Sequence, residues 1–253
     1  MITMEEPNEE LKNQRVAMLI DGDNAQPSLM KYILAETGKY GNVTIRRNYG
    51  DWTESNMSSW KETLHTYAIQ PVQQFRYTTG KNATDSALII DAMDVLYEGV
   101  VEGFCIVSSD SDYTRLATRI REKGVFVMGV GRKTTPRAFV NACQVFVYTE
   151  NLVPQPQPRK PKTIETKPTN SEPAKDEALQ LLKNAFDLAV QDSGWAFLGT
   201  IGNHLRQLDP GFDSRTYGYT RLSSHIRAYP DVFQLKENRK KDGTSIISVK
   251  LKE

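Results

Sequence analysis

The chain has 253 residues with a formal net charge of +1, and 39% of them are hydrophobic and 25% charged. This length predicts one or two globular domains, and the near-neutral charge means that any nucleic-acid-binding surface must be local. No apolar run approaches the ~20 residues of a membrane-spanning helix, and the acidic first ten residues lack the apolar core of a signal peptide. We therefore expect a cytoplasmic protein with no membrane partner.

Strands and helices alternate through the first 150 residues. The predicted strands are 16–20, 43–49, 71–75, 103–107, 125–130 and 144–148, and the predicted helices are 27–38, 54–67, 84–98, 111–123 and 134–142. Such alternation is typical of a mostly parallel sheet with right-handed crossovers. The predicted fold class is therefore α/β, with a doubly wound, Rossmann-like sheet. Cys105 and Cys143 both lie in apolar stretches, which predicts small buried side chains in a reducing compartment.

A proline-rich segment, residues 154–174, contains six of the chain's 12 prolines. It predicts a semi-extended linker between a first domain, 14–153, and a second domain, 175–253. The second domain has helical patterns at 178–190, 200–208 and 217–228. Two strand-like segments, 232–235 and 245–249, flank a basic turn and predict a hairpin. Three helices and a hairpin predict a small winged helix-turn-helix of the α+β class.

Two acidic clusters follow buried strands of the first domain. Asp21 comes directly after the apolar run 16–20, and Asp110 and Asp112 follow the run 104–107. Ligands of open α/β sheets bind beyond the carboxyl ends of the strands, at the point where the strand order reverses. Because neighbouring carboxylates repel one another, a divalent cation would stabilise such a cluster, and Mg²⁺ favours carboxylates together with water and phosphate oxygens.

A third acidic position lies at the start of the third predicted helix. Asp85 is in the first helical turn, where the helix dipole favours a carboxylate. Asp94 lies nine residues further, about 180° around the helix, and therefore belongs to another face. Asp91 is about 240° around and is predicted to be structural. The candidate metal ligands and catalytic carboxylates are therefore Asp21, Asp85, Asp110 and Asp112.

These motifs resemble the NYN domain of LabA-like proteins. The matching segments are Leu19 to Asn24, Lys81 to Asp91, Val107 to Tyr113, Lys123 to Gly129, and Phe146 with Tyr148. The resemblance implies a PIN-like fold and a Mg²⁺- or Mn²⁺-dependent ribonuclease that hydrolyses phosphodiester bonds. It also implies that the four aspartates are the metal set and that Asn24 orients Asp21 or a water. Gln144 departs from the family pattern, in which many relatives carry Asp, but it lies outside the acidic set.

Residues 177–252 resemble a LOTUS (OST-HTH) winged helix, on the pattern of Gly194-Trp195, Pro210 with Phe212, Tyr217-Gly218, and Pro230 with Phe233. The resemblance implies binding of single-stranded or structured RNA, or docking of a protein partner. The predicted RNA contacts on the third helix are Arg215, Tyr219, Arg221 and Arg227, and those of the wing are Arg239, Lys240 and Lys241.

Basic and aromatic residues of the first domain are further candidates for contact with RNA. Arg46 and Arg47 form a basic pair in the second strand, Lys81 precedes the third helix, and Trp52 lies in a loop where it could stack on a base. Trp60 and the three histidines are predicted to be structural.

Two alternatives to a ribonuclease stay open. Asp21-Gly22-Asp23 after a strand also fits a haloacid-dehalogenase-like phosphatase, although Asn24-Ala25 departs from that motif. A non-catalytic RNA-binding adaptor is the second alternative. The sequence leaves the oligomeric state open.

Overall fold

The computed structural model describes residues 14–75, 83–153, 172–239 and 245–252. The chain divides after Val153 into two compact units, and the apolar clusters of the first unit are separate from that of the second. Within the described ranges, no helix combines the length and the apolar character needed to cross a membrane.

The first unit contains a six-stranded sheet in the order β3-β2-β1-β4-β5-β6. All neighbouring strands are parallel. This arrangement confirms the predicted doubly wound fold, with the first and fourth strands as neighbours. The strands are β1 (Arg15–Asp21), β2 (Asn42–Gly50), β3 (Gln70–Gln73), β4 (Gly103–Val107), β5 (Phe126–Gly131) and β6 (Val145–Tyr148).

Five α-helices accompany these strands: α1 (Met30–Thr37), α2 (Lys61–Tyr67), α3 (Ala83–Glu98), α4 (Thr114–Glu122) and α5 (Arg137–Ala142). Three of them begin later than predicted because a 3-10 turn leads into each, at Pro27–Leu29, Ser55–Trp60 and Ser111–Tyr113. A helix start at residue 134 was also predicted, yet α5 begins at Arg137. Pro136 explains the difference, since a proline disfavours helical backbone in the residue before it.

Alternate residues of the buried strands pack on opposite faces of the sheet. Ala17 and Leu19 belong to the cluster that includes Leu88 and Val95 of α3, whereas Met18 and Ile20 belong to the cluster that includes Ile33 of α1. Trp60 is buried in the second cluster, as predicted. Both cysteines are also buried as predicted, and burial raises the pKa of each thiol to about 12.

The second unit contains three helices and a three-stranded antiparallel sheet. The elements are α6 (Glu172–Ala189), β7 (Ala196–Phe197), α7 (Leu198–Leu208), α8 (Leu222–Arg227), β8 (Phe233–Arg239) and β9 (Ser245–Leu251), with sheet order β7-β9-β8. Helix α6 begins inside the predicted linker, and residues 154–171 of that linker lie outside the described part of the chain. The core of the unit joins α6, α7, α8 and the inner face of the sheet.

The predicted helix 217–228 is divided. Ser214–Tyr217 forms a 3-10 turn, Gly218 adopts a left-handed conformation with φ of 85°, and only Leu222–Arg227 is α-helical. A left-handed residue ends a helix, and glycine adopts it without a Cβ penalty. The helix that a helix-turn-helix would present is therefore shorter than the sequence pattern indicated.

His225 on α8 is fully buried among aromatic rings. The nearest ring is that of Tyr219, whose centroid lies 4.4 Å from the imidazole at an angle of 18°, and Phe212, Tyr217 and Tyr229 surround it further. Neither ring nitrogen has a hydrogen-bond partner within the described residues. Burial lowers the pKa of His225 to about 4, which supports its predicted structural role.

We predict that Leu88→Ala destabilises the first unit by roughly 2–5 kcal/mol, because it opens a cavity in a packed core. Ile90 is the matched control: it lies on the same helix but is 63% exposed, whereas Leu88 is 0% exposed. Ile90→Ala should change the free energy of unfolding by less than about 0.5 kcal/mol. Chemical denaturation of both variants tests this, and equal destabilisation would contradict the assigned packing of α3.

We also predict that the second unit loses roughly 1–3 kcal/mol of stability as the pH falls from about 6.5 to 4. The unfolded chain binds a proton on His225 in this range while the folded chain does not, so stability falls with falling pH. Thermal unfolding of His225→Phe across this range should lack this contribution. His204→Phe is the control, since His204 lies in an exposed hydrogen bond with Gln207. An unchanged pH profile in His225→Phe would refute the prediction.

Candidate functional site

Parallel pairing brings the two acidic clusters to one edge of the sheet. Ile20 of β1 is paired with Val107 of β4, so that Asp21 and the segment Ser108 to Asp112 both emerge at the carboxyl edge. The third acidic position, Asp85, is linked to the same edge by Tyr113, which follows the loop after β4. The Tyr113 hydroxyl donates a hydrogen bond to Asp85 Oδ1 at 2.6 Å. Three distant parts of the sequence therefore meet there.

Asp21 is a fully buried carboxylate with one oxygen satisfied and one not. Its Oδ2 accepts hydrogen bonds of 2.8 Å from Asn24 Nδ2 and from Ser108 Oγ. Its Oδ1 is buried and has no hydrogen-bond partner within the described residues. Burial raises the pKa of Asp21, the two hydrogen bonds oppose that rise, and the charges of Asp85 and Asp23 add to it. This environment favours a proton or a cation on the free oxygen.

Three further carboxylates form a compact group. Asp85, Asp110 and Asp112 each offer an oxygen atom, and these atoms lie within 4.8 Å of one another. Asp110 is held by its own loop: its amide donates to Ser108 Oγ, and its Oδ1 accepts from the Asp112 amide at 2.9 Å. Burial raises the pKa of Asp85, the hydrogen bond from Tyr113 lowers it, and the charges of Asp110 and Asp112 raise it.

Asp23 adds a fifth carboxylate that the sequence reasoning did not select. It accepts a hydrogen bond of 3.1 Å from the Thr84 hydroxyl, at the start of α3, and its charge raises the pKa of both Asp21 and Asp85. The Asp-x-Asp spacing was the signal for it. Gly22 between the two acids has no room for a side chain, since a Cβ there would lie 2.3 Å from Asn48 Oδ1.

These residues fit a hard divalent cation. All the ligand atoms are carboxylate oxygens, which Mg²⁺ and Mn²⁺ prefer over softer metals. The buried Asp21 Oδ1, which has no hydrogen-bond partner, is a second and independent feature that a cation would satisfy. The group Asp85, Asp110 and Asp112 would hold such an ion, and Asp21 lies beside it.

The predicted RNA contacts of the first domain are largely engaged within the protein. Arg47 forms an ion pair with Asp91, which also accepts from the Tyr49 hydroxyl, so Asp91 is structural as predicted. Arg46 donates to the Tyr67 carbonyl at 2.8 Å and to the Val43 carbonyl. The indole of Trp52 donates to the Val72 carbonyl at 3.0 Å. Lys81 lies outside the described residues.

The predicted contacts of the second domain differ in their surroundings. Arg215 pairs with Asp213 at 2.6 Å, and Arg227 lies 3.8 Å from Glu237. Arg221 is exposed at the start of α8, whereas Tyr219 stacks on His225. The Arg239 side chain, Lys240 and Lys241 lie outside the described residues.

A cleft beside the acidic group is lined by a basic residue, Arg132, that the sequence analysis did not select. Asn24, Ser108, Ser109 and Arg132 line it together with apolar residues of α1 and β5. The Arg132 amide donates to Ser109 Oγ at 2.9 Å, and the Lys133 amide donates to the Glu150 carboxylate. Both side chains are exposed. Their position directly after β5, one strand from the acidic loop, was the available signal.

Comparisons with known proteins identify the families of the two domains. The sequence model of the NYN domain matches residues 15–150, and that of the OST-HTH/LOTUS domain matches residues 170–244. A comparison with curated proteins finds no match.

Two solved structures are similar to parts of the chain. A crystal structure of a protein of unknown function from Vibrio parahaemolyticus is 15% identical, with a TM-score of 0.46, and the match covers 58% of this chain and 96% of that one. A solution structure of an uncharacterised protein from Nitrosomonas europaea is 32% identical, with a TM-score of 0.28, and the match covers 40% of this chain and 88% of that one. Since the NYN match spans more than half of the sequence, the chain belongs to the NYN domain family, and an OST-HTH/LOTUS domain follows its NYN domain.

Proposed function

We propose that this protein is a divalent-metal-dependent ribonuclease that hydrolyses phosphodiester bonds, and that its second domain binds the RNA. The observation that carries the proposal is the convergence of Asp85, Asp110 and Asp112 within 4.8 Å, together with the buried Asp21, which interacts electrostatically with Asp85. The family supports a nuclease, and the acidic group supports Mg²⁺ or Mn²⁺ as the cofactor.

The residues of the site divide the chemistry among themselves. Asp85, Asp110 and Asp112 would hold the cation, which would supply Lewis-acid activation of the phosphate and of water when bound. Asn24 and Ser108 fix the Asp21 carboxylate through its Oδ2. We assign Asp21 Oδ1 to the cation as a further ligand, because this buried oxygen has no hydrogen-bond partner among the described residues.

Substrate phosphates require cations of their own near this acidic edge. Arg132 lines the cleft that also contains Asn24 and Ser108. The hydrogen bond from its amide to Ser109 joins its backbone to the loop that carries Asp110 and Asp112. We assign Arg132 as a phosphate contact that positions the RNA, with Lys133 beside it. Arg46 and Arg47 are weaker candidates, because both already bind groups of the protein.

The two alternatives have less support. A phosphatase of the haloacid dehalogenase type needs a nucleophilic aspartate at position 21, yet Asp21 is 0% exposed and one of its oxygens already accepts two hydrogen bonds. A non-catalytic adaptor has no need of an acidic group that repels RNA, and the cleavage assay below separates it from a nuclease.

We predict that Asp110→Asn lowers metal-dependent RNA cleavage by about a hundredfold or more, since it removes a charged ligand of the cation. Asp94→Asn is the matched control, because Asp94 is an exposed carboxylate of α3 on another face of that helix, and it should cleave at the wild-type rate. Labelled RNAs and DNAs incubated with Mg²⁺, Mn²⁺ or EDTA provide the measurement and also define the substrate. Cleavage that is equally fast in EDTA would reject the proposal.

A direct metal readout accompanies the assay. Mn²⁺ alone should raise the melting temperature of the wild-type protein and of Asp94→Asn, because a ligand of the folded state stabilises it. The same ion should have a much smaller effect on Asp110→Asn. Equal stabilisation of all three proteins would place the bound ion elsewhere.

We predict that Arg132→Ala raises the KM for RNA by about fivefold with little change in kcat. It should also reduce the slope of log affinity against log salt concentration by about one, which corresponds to one phosphate contact. Arg119→Ala serves as the control, since Arg119 is exposed near the other end of α4, beside Glu122. Steady-state cleavage at several salt concentrations measures both effects. A KM equal to that of wild type would remove Arg132 from the substrate path.

A further inference from the structure

The outer face of the sheet in the second unit carries a row of one aromatic, one hydroxyl and one cationic side chain. In the register of β8 and β9, Lys236 is paired with Ser248, and Phe197 of β7 is also paired with Ser248. Because side chains of paired strands share a face, Phe197, Ser248 and Lys236 lie in one row across three strands. Their neighbours Ala196 and Val249 are buried in the core, so the row faces away from it.

Two aromatic rings lie on or beside this face. Phe197 is 43% exposed although it is a large apolar residue. Trp195 precedes β7 and is half-buried. Both line a cleft that opens to solvent. The cleft therefore offers aromatic surface to a ligand rather than to the protein core.

The polar groups around the cleft are cationic or neutral. Its lining includes Lys236, Asn238, Gln191 and Ser193, and none of the described residues that line it carries a carboxylate. Lys250 places a second ammonium group near the cleft. Its Cε lies 3.7 Å from the position that a Cβ would take on Gly194, the residue before Trp195. Neither lysine takes part in an ion pair within the described part of the chain.

Glu237, the acidic residue next to Lys236 in β8, points elsewhere. Glu237 alternates with Lys236 along β8 and therefore belongs to the opposite face. There it lies 3.8 Å from Arg227 of α8. The positive charge of the outer face is thus not neutralised by its own strand.

We propose that this outer face binds single-stranded RNA, with an unpaired base stacked on Trp195 and Phe197 and with Lys236 and Lys250 on the flanking phosphates. Aromatic platforms with adjacent cations are the common means of binding unpaired nucleotides, and amides such as Asn238 can contact base edges. The proposal rests on the proposed RNA-binding function of the second domain and gives it a location and a substrate class. The excess of cations over carboxylates favours RNA over a protein segment.

The alternative surface of the same unit is less suited to this task. Helix α8 has six residues. Of the contacts predicted on and before it, Arg215 is paired with Asp213 and Tyr219 is stacked on His225, and Arg221 is exposed. The outer face of the sheet keeps its aromatic and cationic groups available.

The test uses the full chain in EDTA, so that RNA is bound but not cleaved by a metal-dependent activity. Fluorescence anisotropy measures the affinity for a labelled single strand of about 12 nucleotides and for the same sequence as a duplex. Phe197→Ala and Lys236→Glu should each weaken binding of the single strand by about fivefold or more. Trp195→Phe should retain affinity because it keeps an aromatic platform, whereas Trp195→Ala should lose it.

Matched controls lie on α6 of the same unit. Leu188 is an exposed apolar residue, 58% exposed, and Lys183 is a lysine of the same helix. Leu188→Ala and Lys183→Glu should bind RNA like wild type, and circular dichroism should show that all variants are folded.

Three results would each overturn the proposal. The first is wild-type affinity for RNA in Phe197→Ala and Lys236→Glu, and the second is equal affinity of the wild-type protein for duplex and single strand. The third is that these variants still bind RNA but no longer bind a protein partner. Failure of the nuclease proposal is a separate result, because it is read from cleavage in Mg²⁺ and not from binding in EDTA.

Discussion

Negative charge concentrated at one edge of a parallel sheet is the constraint on which the site depends. A buried carboxylate such as Asp21 costs several kcal/mol unless donors or a cation compensate it. The donors that the structure gives to Asp21 and Asp85 are neutral: the Asn24 amide and the hydroxyls of Ser108 and Tyr113. Neutral donors fix the geometry of the carboxylates without cancelling their charge, so the charge stays available to a metal ion.

Helix α3 shows the contrast between a carboxylate whose charge is compensated and one whose charge is not. Asp91 is paired with Arg47 and accepts from Tyr49, so its charge is compensated within the protein. Asp85, six residues earlier on the same helix, accepts from a neutral tyrosine and lies beside two more carboxylates. The same residue type on one helix therefore has two electrostatic environments, and the partner that the fold supplies decides between them.

Sequence reasoning predicted the parts of this site that depend on strand order. Alternating strands and helices, with Asp21 and Asp110 after buried strands, were sufficient to place both acids at one edge, because topology alone makes β1 and β4 neighbours. The engagement of Arg47 was not predictable, since its partner lies 44 residues away. The division of the helix at Gly218 was missed for a related reason: an apolar pattern reports burial and not the backbone angle of one residue.

An acidic edge that repels phosphate until a cation is bound cannot itself supply much affinity for RNA. The chain has a net charge of only +1, so the attraction cannot come from overall charge either. It must come from local groups, and we assign it to the loop at Arg132 and to the outer face of the second sheet, both of which carry exposed cationic side chains. A tether between the two domains would then raise the concentration of bound RNA near the carboxylates. The proposals therefore assign affinity and catalysis to different residues, and a chain that has lost its metal ligands should still bind RNA.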